Sequence, residues 1–319
     1  MSDFDTVVIG GGVAGLTAAL FAARGGSSTL VLVPLPGVPG GQLVTIDRVE
    51  DFPGFADGIA GYELGPKIQE QAANAGAEFQ MVEAERIEAS DGGWRVATGD
   101  GDVQARTVII AIGSRPRELG VPGEERLVGR GVSHCASCDG PLMRGKTVTV
   151  VGAGDSGLQE ALTLADFASE VIVVHRSAQP TAQEVYQQRV QEAPNIRLRA
   201  NIVVEEILGD QVVSGVRVRD AVSGEVVVLE TAAVFVYVGL EPNTEFIRDL
   251  IRLDEAGRIP TDIWMRTELP GVFAVGDVRS DSASQAITGA GDGATAAIAV
   301  RSYLEAAERS ARQSDVSWR

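Results

Sequence analysis

Sulfur and histidine are scarce in this chain of 319 residues, which has two cysteines and two histidines. A structural zinc site takes four ligands, usually from two cysteine pairs. No second pair exists here, and only His134 and His175 could complete a set, so no metal site is expected. Positive charge is also short. Lys and Arg number 27 against 44 Asp and Glu, for a net charge of −17 and a pI near 4.6. That balance argues against a nucleic-acid partner, whose phosphate backbone asks for a basic face, and against an anionic membrane surface. Long uninterrupted apolar runs are missing. Val7–Ala23 comes nearest to a membrane span, but it carries four glycines in the spacing of a nucleotide fold and ends at Arg24-Gly25-Gly26. No signal segment is visible, since the chain opens Met-Ser-Asp-Phe-Asp and runs into a strand. The expectation is a cytoplasmic protein, in a reducing compartment where disulfides are transient and catalytic.

The two thiols sit together. Cys135 and Cys138 lie three apart in His134-Cys-Ala-Ser-Cys-Asp-Gly140. Two intervening residues allow a tight disulfide ring that opens easily. At a helix start or beside a cation one thiol can drop below its free value of about 8.5, and thiolate is the species that attacks a disulfide. A purely structural disulfide is the bland alternative. The redox reading is preferred because of what flanks the pair.

The flanks are two copies of one pattern. Val7-Val-Ile-Gly-Gly-Gly-Val-Ala-Gly-Leu-Thr-Ala-Ala-Leu20 matches Thr149-Val-Val-Gly-Ala-Gly-Asp-Ser-Gly-Leu-Gln-Glu-Ala-Leu162 at a constant offset of 142. Gly10, Gly12 and Gly15 fall on Gly152, Gly154 and Gly157. Each copy follows an apolar β-rich run and opens a helix, the context that a dinucleotide fingerprint requires. The first glycine makes the tight turn, the second lets backbone approach a pyrophosphate, and the third lets helix pack on strand. The helix N-terminus offers N–H groups and a positive dipole to phosphate. Two dinucleotide-binding folds follow, in keeping with a length that suggests about two domains and an apolar content of 45%.

After the first helix, strands are expected at Thr29–Val33, Glu85–Ala89, Trp94–Thr98, Asp102–Ala105 and Thr107–Ile112, with a helix near Tyr62–Ala75. Ser114–Glu124, rich in proline, glycine and charge, reads as a linker. The second fold has strands at Thr147–Val151 and Val171–Val174, a meander over Ile196–Glu230 and an apolar strand at Val234–Val238. Leu240–Thr244 reads as the return linker, followed by a strand at Val272–Val275 and a helix over Gln285–Ala307. The fold class is therefore α/β, with two Rossmann-like domains, the second inserted into a discontinuous first. The expected boundaries are 1–115 with 243–319 for the outer domain and 116–242 for the inserted one. The tail from Ser310 has the composition of disorder, with Trp318 a candidate to stack on a flavin or on a partner subunit.

These residues resemble the low-molecular-weight thioredoxin reductases of the pyridine nucleotide–disulfide oxidoreductase family over nearly the whole chain. The ordered motifs are the first fingerprint, Gly40-Gly41-Gln42-Leu43, Val49-Glu-Asp-Phe-Pro-Gly54, Ala111-Ile-Gly113, the cysteine pair, the second fingerprint, Gly271-Val-Phe-Ala-Val-Gly-Asp277 and Gln285-Ala286-Ile287. The pair precedes the second fingerprint, as in the smaller reductases. The resemblance implies FAD in the outer domain, with Gly10, Gly12 and Gly15 on its pyrophosphate. Gly41, Gln42 and Asp51 would lie near the ring or ribityl chain, Asp277 on the ribityl chain, and Gln285 and Ala286 facing the ring. It implies NADPH on Gly152, Gly154, Gly157 and Arg176. Cys138 would be nearer the flavin and Cys135 would attack the partner disulfide. Asp139 would move the proton; apart from the resemblance, His134, directly before Cys135, reads as a base that lowers the cysteine pKa. A homodimer, a thioredoxin-like protein or small disulfide as partner, and rotation about hinges at Ser114–Leu119 and Leu240–Asn243 are also implied.

The chain departs from the pattern at four places. The 2′-phosphate loop reads His175-Arg176-Ser177-Ala178-Gln179-Pro180-Thr181, keeping one arginine of three. Each lost charge-assisted bond is worth about 1.5–3 kcal/mol. Ser284 stands where an arginine usually precedes Gln285, His134 directly precedes Cys135, and Asp51 replaces the more usual asparagine. These departures open an alternative: a nicotinamide-independent relative, either a ferredoxin-linked disulfide reductase or a dithiol oxidase passing electrons to oxygen.

Overall fold

A computed structural model describes residues 3–34 and 37–316. The chain divides into two compact units, Met1–Arg115 with Glu241–Arg319, and Pro116–Leu240. The return crossing thus falls two residues before the expected 243.

The first unit opens with β1 (Phe4–Ile9), α1 (Val13–Arg24) and β2 (Thr29–Leu32), followed by α2 (Gly61–Asn74) and β3 (Glu78–Gln80). Then come β4 (Ala84–Ser90), β5 (Gly93–Thr98) and β6 (Val103–Ile110). The strands run β3-β2-β1-β6-β5-β4, parallel from β3 to β6 and antiparallel through β5 and β4. Two strands expected on either side of Arg106 are one. The charged side chain needs no turn there, because its guanidinium bonds Asp5 at 2.9 Å and Glu308 at 3.2 Å while its backbone stays extended.

The chain leaves this unit through β7 (Ser114–Pro116). The linker-like segment after it is ordered by Glu124, whose buried carboxylate accepts from the N–H groups of Leu119 (2.8 Å) and Gly120 (2.7 Å). Next come α3 (Glu124–Leu127), β8 (Val132–Ser133), α4 (Ala136–Asp139), β9 (Thr147–Val151), α5 (Asp155–Ala165), β10 (Glu170–Val174), α6 (Glu184–Glu192) and β11 (Ile196–Arg199). The unit closes with β12 (Ile202–Leu208), β13 (Gly215–Asp220), β14 (Val226–Glu230) and β15 (Val234–Val236). A parallel sheet runs β11-β10-β9-β15-β8, and β12-β13-β14 form a separate antiparallel sheet. The expected single meander is therefore split. Asn201, at φ 58°, turns the chain after β11, and its N–H is held by the Ser177 carbonyl at 3.1 Å. Only the strands after that turn join the meander.

The return passes through β16 (Leu240–Pro242), which pairs with β7 in a two-stranded sheet. β17 (Val272–Ala274) then adds parallel to the second half of β6. α7 (Ala286–Val316) runs nine residues past the expected end at Ala307, because neither glycine nor proline interrupts Ser310–Val316. Trp318 lies outside the described residues.

Both parallel sheets are buried on two faces. Val7 and Ile9 pack into one apolar cluster and Val8 into another. Likewise Val148 and Val150 face one core of the second unit and Val151 the other. Two-sided burial is why these strands read as continuous apolar runs and not as alternating ones. No helix among the described residues is long and apolar enough to cross a membrane.

Candidate active site

The first fingerprint is built by close backbone packing. Gly10 has φ +114°, and a Cβ there would sit 2.3 Å from the Ala111 carbonyl oxygen. A Cβ on Gly15 would meet the Gly10 oxygen at 2.1 Å, whereas one on Gly12 would meet no protein atom within 4 Å. Gly12 is thus the point where a ligand can approach backbone. It caps α1 without a side-chain bond, and the first turn carries no acid to compete with phosphate. The Gly40–Gln42 loop is tied to this turn. Gly40 donates to the Gly11 carbonyl at 2.8 Å, and a Cβ on Gly41, at φ +60°, would come within 3.2 Å of the Gly12 Cα.

Beside it lies a polar line made by three distant segments. Gln42 Nε2 donates to the Ser114 carbonyl (2.7 Å) and to its Oγ (3.0 Å). Ser114 Oγ donates to Asp277 Oδ2 at 3.2 Å, and Ser282 Oγ to Oδ1 at 3.4 Å. Burial pushes the Asp277 carboxyl above its ordinary value, partly offset by the two serine donors. Beneath, Asp292 accepts from the Gly276 N–H (3.1 Å) and, in bidentate fashion, from Arg279 Nε (2.6 Å) and Nη2 (3.0 Å). Gln285 and Ala286 stand at the start of α7, where the Thr288 hydroxyl donates to the Gln285 carbonyl at 2.9 Å. Asp51 is exposed on the loop between Val49 and Ile59, which bridge each other.

In the second unit Cys135 and Cys138 are joined as a disulfide. Cys135 caps α4, its Sγ accepting the Cys138 N–H at 3.2 Å. The Ser133 hydroxyl accepts the Cys135 N–H at 3.1 Å, and the Asp139 N–H donates to the Cys135 carbonyl at 3.2 Å. Cys138 is exposed and Cys135 half-buried. Asp139 closes the same turn, so a carboxylate stands one residue from a sulfur. His134 Nδ1 lies 3.0 Å from the Val236 carbonyl. A carbonyl can only accept, so Nδ1 carries the proton, and the nitrogen left for base chemistry is Nε2.

The second fingerprint repeats the first. Gly152 has φ +119°, with a Cβ there 2.0 Å from the Tyr237 oxygen, and a Cβ on Gly157 would lie 2.3 Å from the Gly152 oxygen. Gly154 again is open, its nearest neighbour being Thr181 Oγ1 at 3.7 Å. Arg176 is exposed on the loop after β10. Ser177 is exposed, and its hydroxyl donates to the Gln179 carbonyl (2.9 Å) and receives His175 Nδ1–H (3.1 Å). His175 is buried and its Nε2 has no hydrogen-bond partner, so burial lowers its pKa.

Ser282, Arg279 and Asp292 were not picked out by sequence reasoning, and Ser114 only as the start of a linker. Ser114 had a signal, directly following Ala111-Ile-Gly113. The others are single polar residues whose partners lie five to thirteen positions away with no repeating spacing to mark them.

A family model described as pyridine nucleotide-disulphide oxidoreductase matches residues 4–299. The thioredoxin reductase of Treponema pallidum is 39% identical over 95% of this chain and 98% of its own. The crystal structure of Lactococcus lactis thioredoxin reductase in its FR conformation is 40% identical, with a TM-score of 0.91 over 95% of this chain and 99% of that one. A more distant structure, a ferredoxin-flavin thioredoxin reductase from Clostridium acetobutylicum, is 29% identical with a TM-score of 0.51, covering 95% and 98%.

Proposed function

The chain belongs to the pyridine nucleotide–disulphide oxidoreductase family and is a thioredoxin-reductase-like oxidoreductase, and from that premise we propose that it carries electrons from NADPH through FAD to Cys135–Cys138 and on to the disulfide of thioredoxin. The joined cysteine pair, capping a short turn that leads into the second fingerprint, is the observation that supports this reading most strongly.

FAD, when bound, accepts a hydride and passes two electrons to the disulfide. The cradle fits it. Gly12 leaves backbone open to a pyrophosphate, α1 points its uncapped N-terminus there, and Gln42, Ser114 and Asp277 supply a polar line for the ribityl hydroxyls. Gln285, Ala286, Gly41 and Asp51 complete the proposed flavin set. Reduction opens the Cys135–Cys138 bond. The Cys135 thiolate then attacks a sulfur of the partner disulfide, whose S–S bond breaks, and the leaving thiolate takes a proton. Attack by Cys138 on Cys135 releases the second partner thiol and restores the original bond. Asp139 moves the proton, and His134 serves through Nε2 as a base beside Cys135. The inserted unit turns about the paired crossings β7 and β16, and the protein works as a homodimer in a reducing compartment.

NADPH binding rests on Gly152, Gly154, Gly157 and Arg176. With the Ser177 hydroxyl engaged by Gln179 and His175, Arg176 meets the 2′-phosphate with little help, which favours a weak grip. That keeps a ferredoxin-type donor in the test. The purified protein, carrying one FAD per chain, is mixed anaerobically with NADPH, NADH or reduced ferredoxin, and the visible flavin band is followed before and after thioredoxin is added. Bleaching by NADPH and recovery with oxidised thioredoxin is the expected result. A colourless protein that takes up no FAD, or a bleached flavin that thioredoxin cannot reoxidise, defeats the reading. Bleaching by ferredoxin alone replaces the donor.

A further inference from the structure

The two fingerprints differ in one respect. The first turn of α1 carries no acid, whereas α5 opens on Asp155, directly after the open Gly154. A carboxylate there competes with phosphate for the positive end of the helix. Its bonds show another use. Asp155 Oδ1 accepts the Gln183 backbone N–H at 2.7 Å, and Oδ2 accepts Gln183 Nε2 at 3.0 Å. Gln183 is the residue from which α6 starts. Two positions before Asp155, the Ala153 carbonyl accepts the N–H groups of Thr181 (2.9 Å) and Ala182 (3.2 Å). Ala182 is buried, and its own carbonyl accepts Gln187 Nε2 at 2.7 Å. The loop His175–Gln183 is thus fastened to the fingerprint at its far end. Its near end is fastened to a different strand connection, where the His175 N–H bonds the Arg199 carbonyl at 3.1 Å and the Asn201 N–H bonds the Ser177 carbonyl at 3.1 Å. Arg176 is exposed on this loop, and Thr181 Oγ1 is the atom nearest the open side of Gly154.

We propose that Asp155 is a positioning residue for the nucleotide: its carboxylate clasps Gln183 and keeps the His175–Gln183 loop seated on the second fingerprint, so that Arg176 is held ready for a 2′-phosphate. The inference rests on the reading of this unit as the NADPH site and names what holds its phosphate loop. Hydrogen bonds to an ionised acceptor are the stronger kind, and here two of them come from one residue. A loop with a single arginine gains most from such a clasp, because the cost of ordering it is met before the ligand arrives. The clasp therefore matters more for a nucleotide that has a 2′-phosphate than for one that lacks it. The glycines of the fingerprint, which serve both nucleotides alike, do not depend on it.

The experiment uses the FAD-loaded, oxidised full-length protein and reads NADP+ and NAD+ dissociation constants by calorimetry, with no turnover. Asp155→Ala and Asp155→Asn lose the same charge, so their comparison isolates the clasp. The asparagine keeps an acceptor for the Gln183 N–H and a donor for the turned-over Gln183 amide. Asp155→Ala is expected to bind NADP+ about fivefold more weakly than Asp155→Asn, with NAD+ differing by less than about twofold. Gln183→Ala, which keeps the backbone bond, should weaken NADP+ about threefold against the wild type and add nothing to Asp155→Ala. Hydrogen exchange without nucleotide should show the Thr181 and Ala182 amides opening about tenfold faster in Asp155→Ala and near the wild-type rate in Asp155→Asn. Equal NADP+ affinity in the alanine and asparagine variants overturns the proposal, and so do equal losses for NADP+ and NAD+ or losses that multiply in the double variant. A wild type that binds neither nucleotide overturns the NADPH reading and the proposal with it, whereas the other failures leave that reading standing. Should Asp155→Ala not fold, the Gln183→Ala constants for the two nucleotides decide alone.

Discussion

Asp292→Asn offers a demanding test of how the flavin-side turn is held. Asp292 is the common acceptor of three donors, the Gly276 N–H and two nitrogens of Arg279, and its side chain is 9% exposed against 16% for the arginine. The substitution keeps size but removes the charge and places an NH2 among donors. Breaking one partner of a buried pair leaves an uncompensated charge and costs about 3–5 kcal/mol. At roughly 2–4 °C per kcal/mol for a domain of this size, the melting transition of the first unit should fall by about 10 °C. Arg279→Met should cost a similar amount, since it strands Asp292 with only the Gly276 N–H. The double variant removes both charges, so its loss should be smaller than the two single losses together by about 2 kcal/mol. Urea unfolding followed by flavin fluorescence gives all three values. Because Asp277 directly follows Gly276, FAD release should also accelerate. A single-variant loss below about 1 kcal/mol would place the pair among exposed bridges, and additive losses would show that the two side chains do not depend on each other. Either result refutes the reasoning.

Three further outcomes are expected. Cys135→Ser and Cys138→Ser should each abolish disulfide reduction while leaving FAD bound, and Cys135→Ser should leave a Cys138 thiolate that gives a charge-transfer band with flavin; full turnover in either variant removes the pair as redox centre. Restoring arginine with Ser177→Arg and Thr181→Arg should lower the NADPH KM by about a decade or more, at roughly 1.4 kcal/mol per tenfold, and leave NADH nearly unchanged, as steady-state kinetics with both nucleotides would show. His175 is buried with a pKa below its ordinary 6.5, so the neutral form is the folded one. The unfolded chain binds a proton that the folded one does not, and second-unit stability should fall as pH drops below about 6.5; urea midpoints for His175→Gln should lose that slope, and an unchanged slope assigns it elsewhere.

The sequence by itself determined the repeated architecture. A fingerprint needs glycine at three fixed positions because backbone must pass within van der Waals distance of backbone, and that requirement leaves its mark locally, at Gly10–Gly15 and again at Gly152–Gly157. The buried parallel strands are legible for a similar reason, since burial on both faces demands unbroken apolar runs. The redox pair is legible because its chemistry needs two sulfurs on one turn. What only the tertiary structure decided are matters of partnership. Arg106 stays inside a strand because Asp5 and Glu308 wait for it. The segment Ile196–Glu230 divides between two sheets because Asn201 can adopt a left-handed turn tied to Ser177. The Ser177 hydroxyl is engaged within its own loop because His175 and Gln179 claim it. Gln42, Ser114 and Asp277 form one line, and Arg279 and Asp292 one pair, across separations that no local pattern records. Steric demands of the backbone are written residue by residue, but a hydrogen-bond partner is chosen by whatever the folded chain brings within about 3 Å.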